Sequence, residues 1–75
     1  MINLNSADIN RKCKIIDLNV SADILNRFID IGIIPGNIIE KVLISPFGGI
    51  SAYFVMDSVI AIRDKDIKGV MVEYV

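Results

Sequence analysis

A short apolar helix that ends in glycine and runs into a Pro-Gly turn constrains the fold of this chain more than any other segment. The helix and the turn together cover residues 25–36, and the last five residues of this segment are Gly32, Ile33, Ile34, Pro35 and Gly36. Glycine just past the last helical turn adopts the left-handed conformation at little cost. Proline presets the second position of a turn and glycine accepts the positive φ of the third, so the chain can reverse there. The segment predicts a helix, a turn and then a strand.

Short strands are predicted on both sides of this unit. Apolar residues recur over residues 11–18 and predict a first strand, after which Ser21 is placed to cap the helix. Residues 37–45 are rich in β-branched side chains and predict a second strand. Residues 50–57 alternate between Ile50, Ala52, Phe54, Met56 and Ser51, Tyr53, Val55, Asp57, which predicts a third.

The C-terminal third completes the sheet. The short polar pair Asp57–Ser58 predicts a tight hairpin into a fourth strand over residues 59–63. The charged residues 63–68 predict a turn or a single helical turn, and residues 70–75 predict a last strand. Several short strands with one helix inserted early indicate a mainly β fold, a small closed or half-closed barrel of about five strands.

The size and the charge of the chain restrict the classes of function that it can have. The 75 residues make one domain, residues 1–75, and the 53% hydrophobic content suits a small core that buries much of the chain. Lys and Arg number 8 against 9 Asp and Glu, a balance that argues against a nucleic-acid partner. Apolar content this high also fits a weak homo-oligomer.

Chemistry-bearing residues are scarce. The chain has one cysteine and no histidine, so neither an internal disulfide nor a dedicated zinc or iron site is expected, and no cofactor is predicted. Cys13 lies in an alternating segment, where a buried, inert thiol is the favoured interpretation. No group of residues suggests general acid–base or nucleophilic catalysis, and we expect no enzyme activity.

The apolar stretches are far shorter than the roughly 20 residues that cross a bilayer. The first residues carry neither a basic start nor a continuous apolar region, so no signal peptide is predicted. A cytoplasmic protein with no direct membrane insertion is expected.

Six residues are candidates for contact with a protein partner: Arg27, Ile33, Ile34, Pro35, Phe47 and Arg63. The spacing of Arg27 from Asp23 and Asp30 favours exposed ion pairs over partner contact. Arg63 either meets a partner or ends a strand beside Asp64 and Asp66. The aromatic ring of Phe47 either anchors a partner or folds back over an open end of the barrel. At least one of Ile33 and Ile34 is expected to cap the core, which leaves the other for an interface.

The helix–turn element resembles the ferrous iron transport protein A (FeoA) family, small SH3-like domains. Arg27, the Ser-Pro-x-Gly loop over residues 45–48, Ile62–Arg63 and the closing Val70-x-Val72 carry the resemblance further, and it extends from Leu4 to Glu73. Where the family usually has glycine before the first strand, this chain has Asn10, which tolerates left-handed geometry.

The resemblance implies an SH3-like barrel and a cytosolic accessory role in ferrous iron uptake, with the membrane transporter FeoB as the partner. Similar domains form the C-terminal module of iron-dependent repressors. The alternative is therefore a module that senses a divalent metal through carboxylates such as Asp57, Asp64 and Asp66.

Overall fold

A computed structural model describes residues 1–75 as one antiparallel sheet with a helix packed against it. The sheet has six strands in the order β1-β6-β2-β3-β4-β5. In chain order they are β1 (Ile2–Asn3), β2 (Lys12–Leu18), β3 (Ile38–Ile44), β4 (Ile50–Val55), β5 (Ser58–Arg63) and β6 (Val70–Tyr74). Helix α1 (Ala22–Ile31) follows β2, the short helix α2 (Asp64–Ile67) follows β5, and a 3-10 turn covers Leu4–Ser6. The predicted mainly β fold is confirmed.

The sheet differs from the prediction at its margins. The sixth strand is β1, which pairs through Ile2 with Val72 and through Asn3 with Met71. Strands β1 and β5 are the two edges and do not pair with each other, so hydrogen bonds do not close the sheet. Neither helix has the length and apolar content that a bilayer span requires.

Local sequence signals set both ends of α1. At its start, the Ser21 hydroxyl oxygen accepts a hydrogen bond from the Ile24 amide at 3.5 Å. At its end, Gly32 has a φ of 91° and its amide contacts the Ile29 carbonyl oxygen at 3.2 Å. Its positive φ is the conformation that favours glycine at this position.

The cap gives a direct test of how far the helix depends on Ser21. Ser21→Ala should lower the free energy of unfolding by about 0.5–1 kcal/mol, because the Ile24 amide loses its acceptor. Urea denaturation followed by circular dichroism measures the change. Ser21→Asp keeps an acceptor at the same position and should stay close to wild type, and equal losses in the two variants would contradict the role of the cap.

The core lies on the inner face of the curved sheet and is covered by Phe28 of α1, Ile67 of α2 and Leu4 of the 3-10 turn. Its 13 buried apolar residues include Ile15 of β2, Ile39 of β3, Phe28 of α1 and Val72 of β6. Burial of this apolar surface is the main favourable contribution to folding. The buried Cys13 agrees with the sequence prediction, and burial raises the pKa of its thiol.

Strand β4 turns its polar residues inward. Ser51, Tyr53 and Val55 are buried, whereas Ile50 and Phe54 are exposed. The Ser51 hydroxyl contacts a carboxylate oxygen of Asp64 at 3.1 Å, which satisfies a polar group on the buried side. The more apolar face of this strand therefore faces solvent.

Candidate protein interaction surface

The outer face of the sheet carries an apolar surface that spans three strands. In the ladder Leu43 of β3 lies opposite Ala52 of β4, and Ala52 lies opposite Ala61 of β5. Phe54 lies opposite Val59 on the same face. Leu43, Phe54 and Val59 are 60%, 41% and 63% exposed. Contiguous apolar residues of this kind on one face are typical of an interaction surface.

Phe47 extends this surface at the tip of the β3–β4 loop. Its side chain is 97% exposed, so the interpretation in which the ring folds back over the barrel is wrong. The loop is tied down at its base, because the Gly48 amide donates to the Ser45 carbonyl oxygen at 3.0 Å and the Ser45 amide donates to Ile50. A fixed loop that presents an aromatic ring to solvent is a geometry suited to an anchor.

Arg63 lies beside this loop, at the end of β5. It pairs across the sheet with Ile50, the first residue after the loop, and the Asp64 amide donates to the Gly49 carbonyl oxygen at 2.8 Å. Its guanidinium Nε lies 3.2 Å from Oδ2 of Asp66, a residue that is only 8% exposed. Arg63 therefore ends β5 beside Asp66, as one of its two predicted roles requires, and about half of its side chain stays exposed to solvent.

Arg27 forms no ion pair within 4.0 Å, so the predicted pairs with Asp23 and Asp30 are wrong. Its side chain lines a groove between α1 and β5 instead. The cavity has a volume of about 340 Å³ and includes Asp30, Ile60, Arg63 and Asp66. The fold therefore brings the two arginine candidates, Arg27 and Arg63, to one groove.

The turn after α1 separates its two isoleucines. Ile33 is fully buried in the core, and its amide donates to the Phe28 carbonyl oxygen at 2.8 Å. As a partner-contacting residue Ile33 is therefore corrected to a core residue. Ile34 and Pro35 are exposed and stay available on the surface.

The carboxylates of the metal-sensing alternative do not assemble into a site. Asp57 lies in the β4–β5 turn, Asp64 contacts the Ser51 hydroxyl, and Asp66 contacts Arg63. The structure contains no group of three Asp, Glu, Cys or His side chains arranged to hold a metal ion.

The sequence prediction missed the groove and the outer apolar face. Neither Ile60 nor Asp66 carries a local signal, because their position beside α1 depends on how the chain folds back. The inward phase of Ser51 in β4 also depends on a distant residue, because Asp64 supplies the partner for its buried hydroxyl.

Comparison with protein-family models matches residues 2–74 to the FeoA domain. The chain belongs to the FeoA family. That family is associated with ferrous iron transport, and its members are small accessory proteins that are not known as enzymes. A search of curated proteins finds no match to the sequence.

Solved FeoA structures share the fold. Iron(II) transport protein A of Clostridium thermocellum superposes with a TM-score of 0.92 at 24% identity, and the match covers 99% of this chain and 46% of that one. The FeoA-like protein of Clostridium acetobutylicum gives 0.86 at 26% identity, covering 97% and 85%. An iron uptake regulatory protein (FeoA) gives 0.86 at 19% identity, covering 99% and 97%. This chain thus spans about half of the first of these proteins and most of the other two.

Proposed function

We propose that this FeoA domain is a cytoplasmic accessory protein of ferrous iron uptake that binds the membrane transporter FeoB through the transporter's cytosolic part and regulates it. The observation that carries the proposal is Phe47, an aromatic side chain 97% exposed on a tied loop. Exposed aromatic residues in well-packed surroundings supply much of the energy of protein interfaces.

The surfaces around Phe47 support a single contact face. Ile50 follows the loop on the outer face of the sheet, and Arg63, which pairs with Ile50, also lines the groove. Apolar residues at the centre with arginines at the rim resemble the composition of interfaces between folded proteins.

The test is a titration of the isotope-labelled chain with the purified cytosolic domain of FeoB, followed by two-dimensional NMR with and without guanine nucleotide. Shifts are expected at Phe47, Ile34 and Arg27. Phe47→Ser should weaken binding about tenfold or more, because a hot-spot side chain is removed.

Val75→Ser is the matched control, since Val75 is also exposed but follows β6, three strands away from β4 in the sheet. It should bind like wild type. Flat spectra in every nucleotide state, together with failure of the full-length transporter to retain the chain on affinity beads, would contradict the proposal.

A further inference from the structure

Strand β5 presents an unused backbone edge. It pairs only with β4, and the turn between them consists of Met56 and Asp57 with φ values of 50° and 61°. A two-residue turn of this type makes Val55 and Ser58, which are opposite each other, a hydrogen-bonded pair. Hydrogen-bonded and non-hydrogen-bonded pairs then alternate along an antiparallel ladder. The peptide groups of Val59 and Ala61 consequently point away from β4.

No other part of the chain satisfies these groups. None of the backbone hydrogen bonds outside the regular elements involves Val59 or Ala61, and no side chain bonds to them. The edge also lacks the proline, lysine or bulge with which proteins commonly block edge strands. Its donors and acceptors are available to a further strand.

The free edge borders the groove between α1 and β5. Apolar side chains of Phe28, Ile31, Ile60 and Ile62 line the cavity, whose volume is about 340 Å³. An extended segment laid along β5 would direct alternate side chains toward these residues, since successive side chains of a strand point to opposite faces. A strand edge beside a helix is the arrangement in which peptide-binding domains add a strand.

Charge in the groove favours a segment with acidic residues. The groove contains Arg27, Arg63, Asp30 and Asp66. Asp66 already accepts from Nε of Arg63, whereas the terminal nitrogens of Arg63 and the whole guanidinium of Arg27 have no partner in the chain. Asp30 is the one free carboxylate. Unused donors therefore exceed unused carboxylate acceptors, and guanidinium groups bind carboxylates in bidentate geometry.

We infer that the groove between α1 and β5 binds an extended segment of a partner protein as an added strand, with apolar side chains toward Phe28 and Ile60 and a carboxylate at Arg27 and Arg63. The inference rests on the proposed function in that the transporter's cytosolic part supplies the segment. Beyond the proposed function, it specifies that the segment binds to the backbone edge of β5 and that the segment carries an acidic residue.

The test uses the full chain and short overlapping synthetic peptides that cover the cytosolic sequence of FeoB. Peptides that carry apolar residues and one acidic residue at every second position, so that all of them face the groove, should bind and shift the amide resonances of Val59, Ala61 and Arg27. Ala61→Pro should weaken their binding about tenfold, because it removes a donor from the free edge. The ladder to β4 does not use that donor, so the sheet should persist.

Ala61→Val is the matched control, because it keeps the amide and suits a strand, and it should bind like wild type. Arg27→Gln should weaken acidic peptides, whereas Asp30→Asn should not. If the intact cytosolic domain binds but Ala61→Pro binds it equally well, the added strand is wrong while the proposed function stands. If neither the domain nor any peptide binds, both fail. Concentration-dependent shifts at Val59 and Ala61 without peptide would assign the edge to a second copy of the chain and overturn the inference.

Discussion

Gly69→Ala is expected to lower the free energy of unfolding by about 3 kcal/mol or more, a large share of the stability of so small a domain. Gly69 joins α2 to β6 with a φ of 95°, where a side chain strains the backbone. A Cβ there would also collide with the carbonyl group of Asn19, in the connection between β2 and α1. The two connections cross tightly, since the Asn19 amide donates to the Gly69 carbonyl oxygen at 2.8 Å.

Gly36→Ala is the matched comparison. Gly36 has a φ of 96°, so the backbone strain is the same, but no atom lies within 4 Å of a Cβ built at this residue. Its cost should stay at about 1–2 kcal/mol, the strain alone. Urea unfolding of both variants separates conformational strain from the collision with Asn19. Equal losses of unfolding free energy in the two variants would show that the contact with Asn19 does not restrict which side chain residue 69 can carry.

Features that a few adjacent residues encode could be predicted from the sequence. Ser21 and Gly32 bound α1 because their own side chain and backbone satisfy the helix ends. Asn10 was expected to tolerate left-handed geometry in place of glycine, and it has a φ of 62°. The hairpin turn was predicted one residue late, at Asp57–Ser58, because Met56 is an unusual residue for positive φ.

Features that depend on distant residues could not be predicted. Strand β1 has only two residues and is held by pairing with β6 and by Lys41, whose ammonium group contacts the Asn5 carbonyl oxygen at 2.8 Å. Arg27 forms no ion pair with Asp23 or Asp30, and its side chain lines the groove beside β5 instead. Of the six candidate contact residues, burial reassigns only Ile33, and the groove that joins Arg27 to Arg63 emerges from the fold alone.

Tyr53 should make the protein lose stability in alkali. Burial raises the pKa of its phenol from 10.0 to about 12 against a smaller lowering effect of the nearby Ser51 hydroxyl, and the phenol hydroxyl makes no hydrogen bond of good geometry. Above pH 10 the unfolded chain loses this proton while the folded chain keeps it, so the unfolded state gains stability as the pH rises. The contribution is complete below pH 10 and is lost toward pH 12, by about 2–3 kcal/mol in total.

Tyr53→Phe should remove this alkaline loss. At neutral pH the variant should be as stable as wild type or slightly more stable, because a buried polar group without a partner disappears. Urea unfolding at a series of pH values measures the difference in unfolding free energy between the two proteins. Tyr74→Phe is the control: its hydroxyl accepts from the Asp8 amide at 3.1 Å, so it should cost stability at neutral pH while keeping the alkaline loss due to Tyr53. Parallel pH profiles for wild type and Tyr53→Phe would mean that the buried phenol does not govern alkaline unfolding.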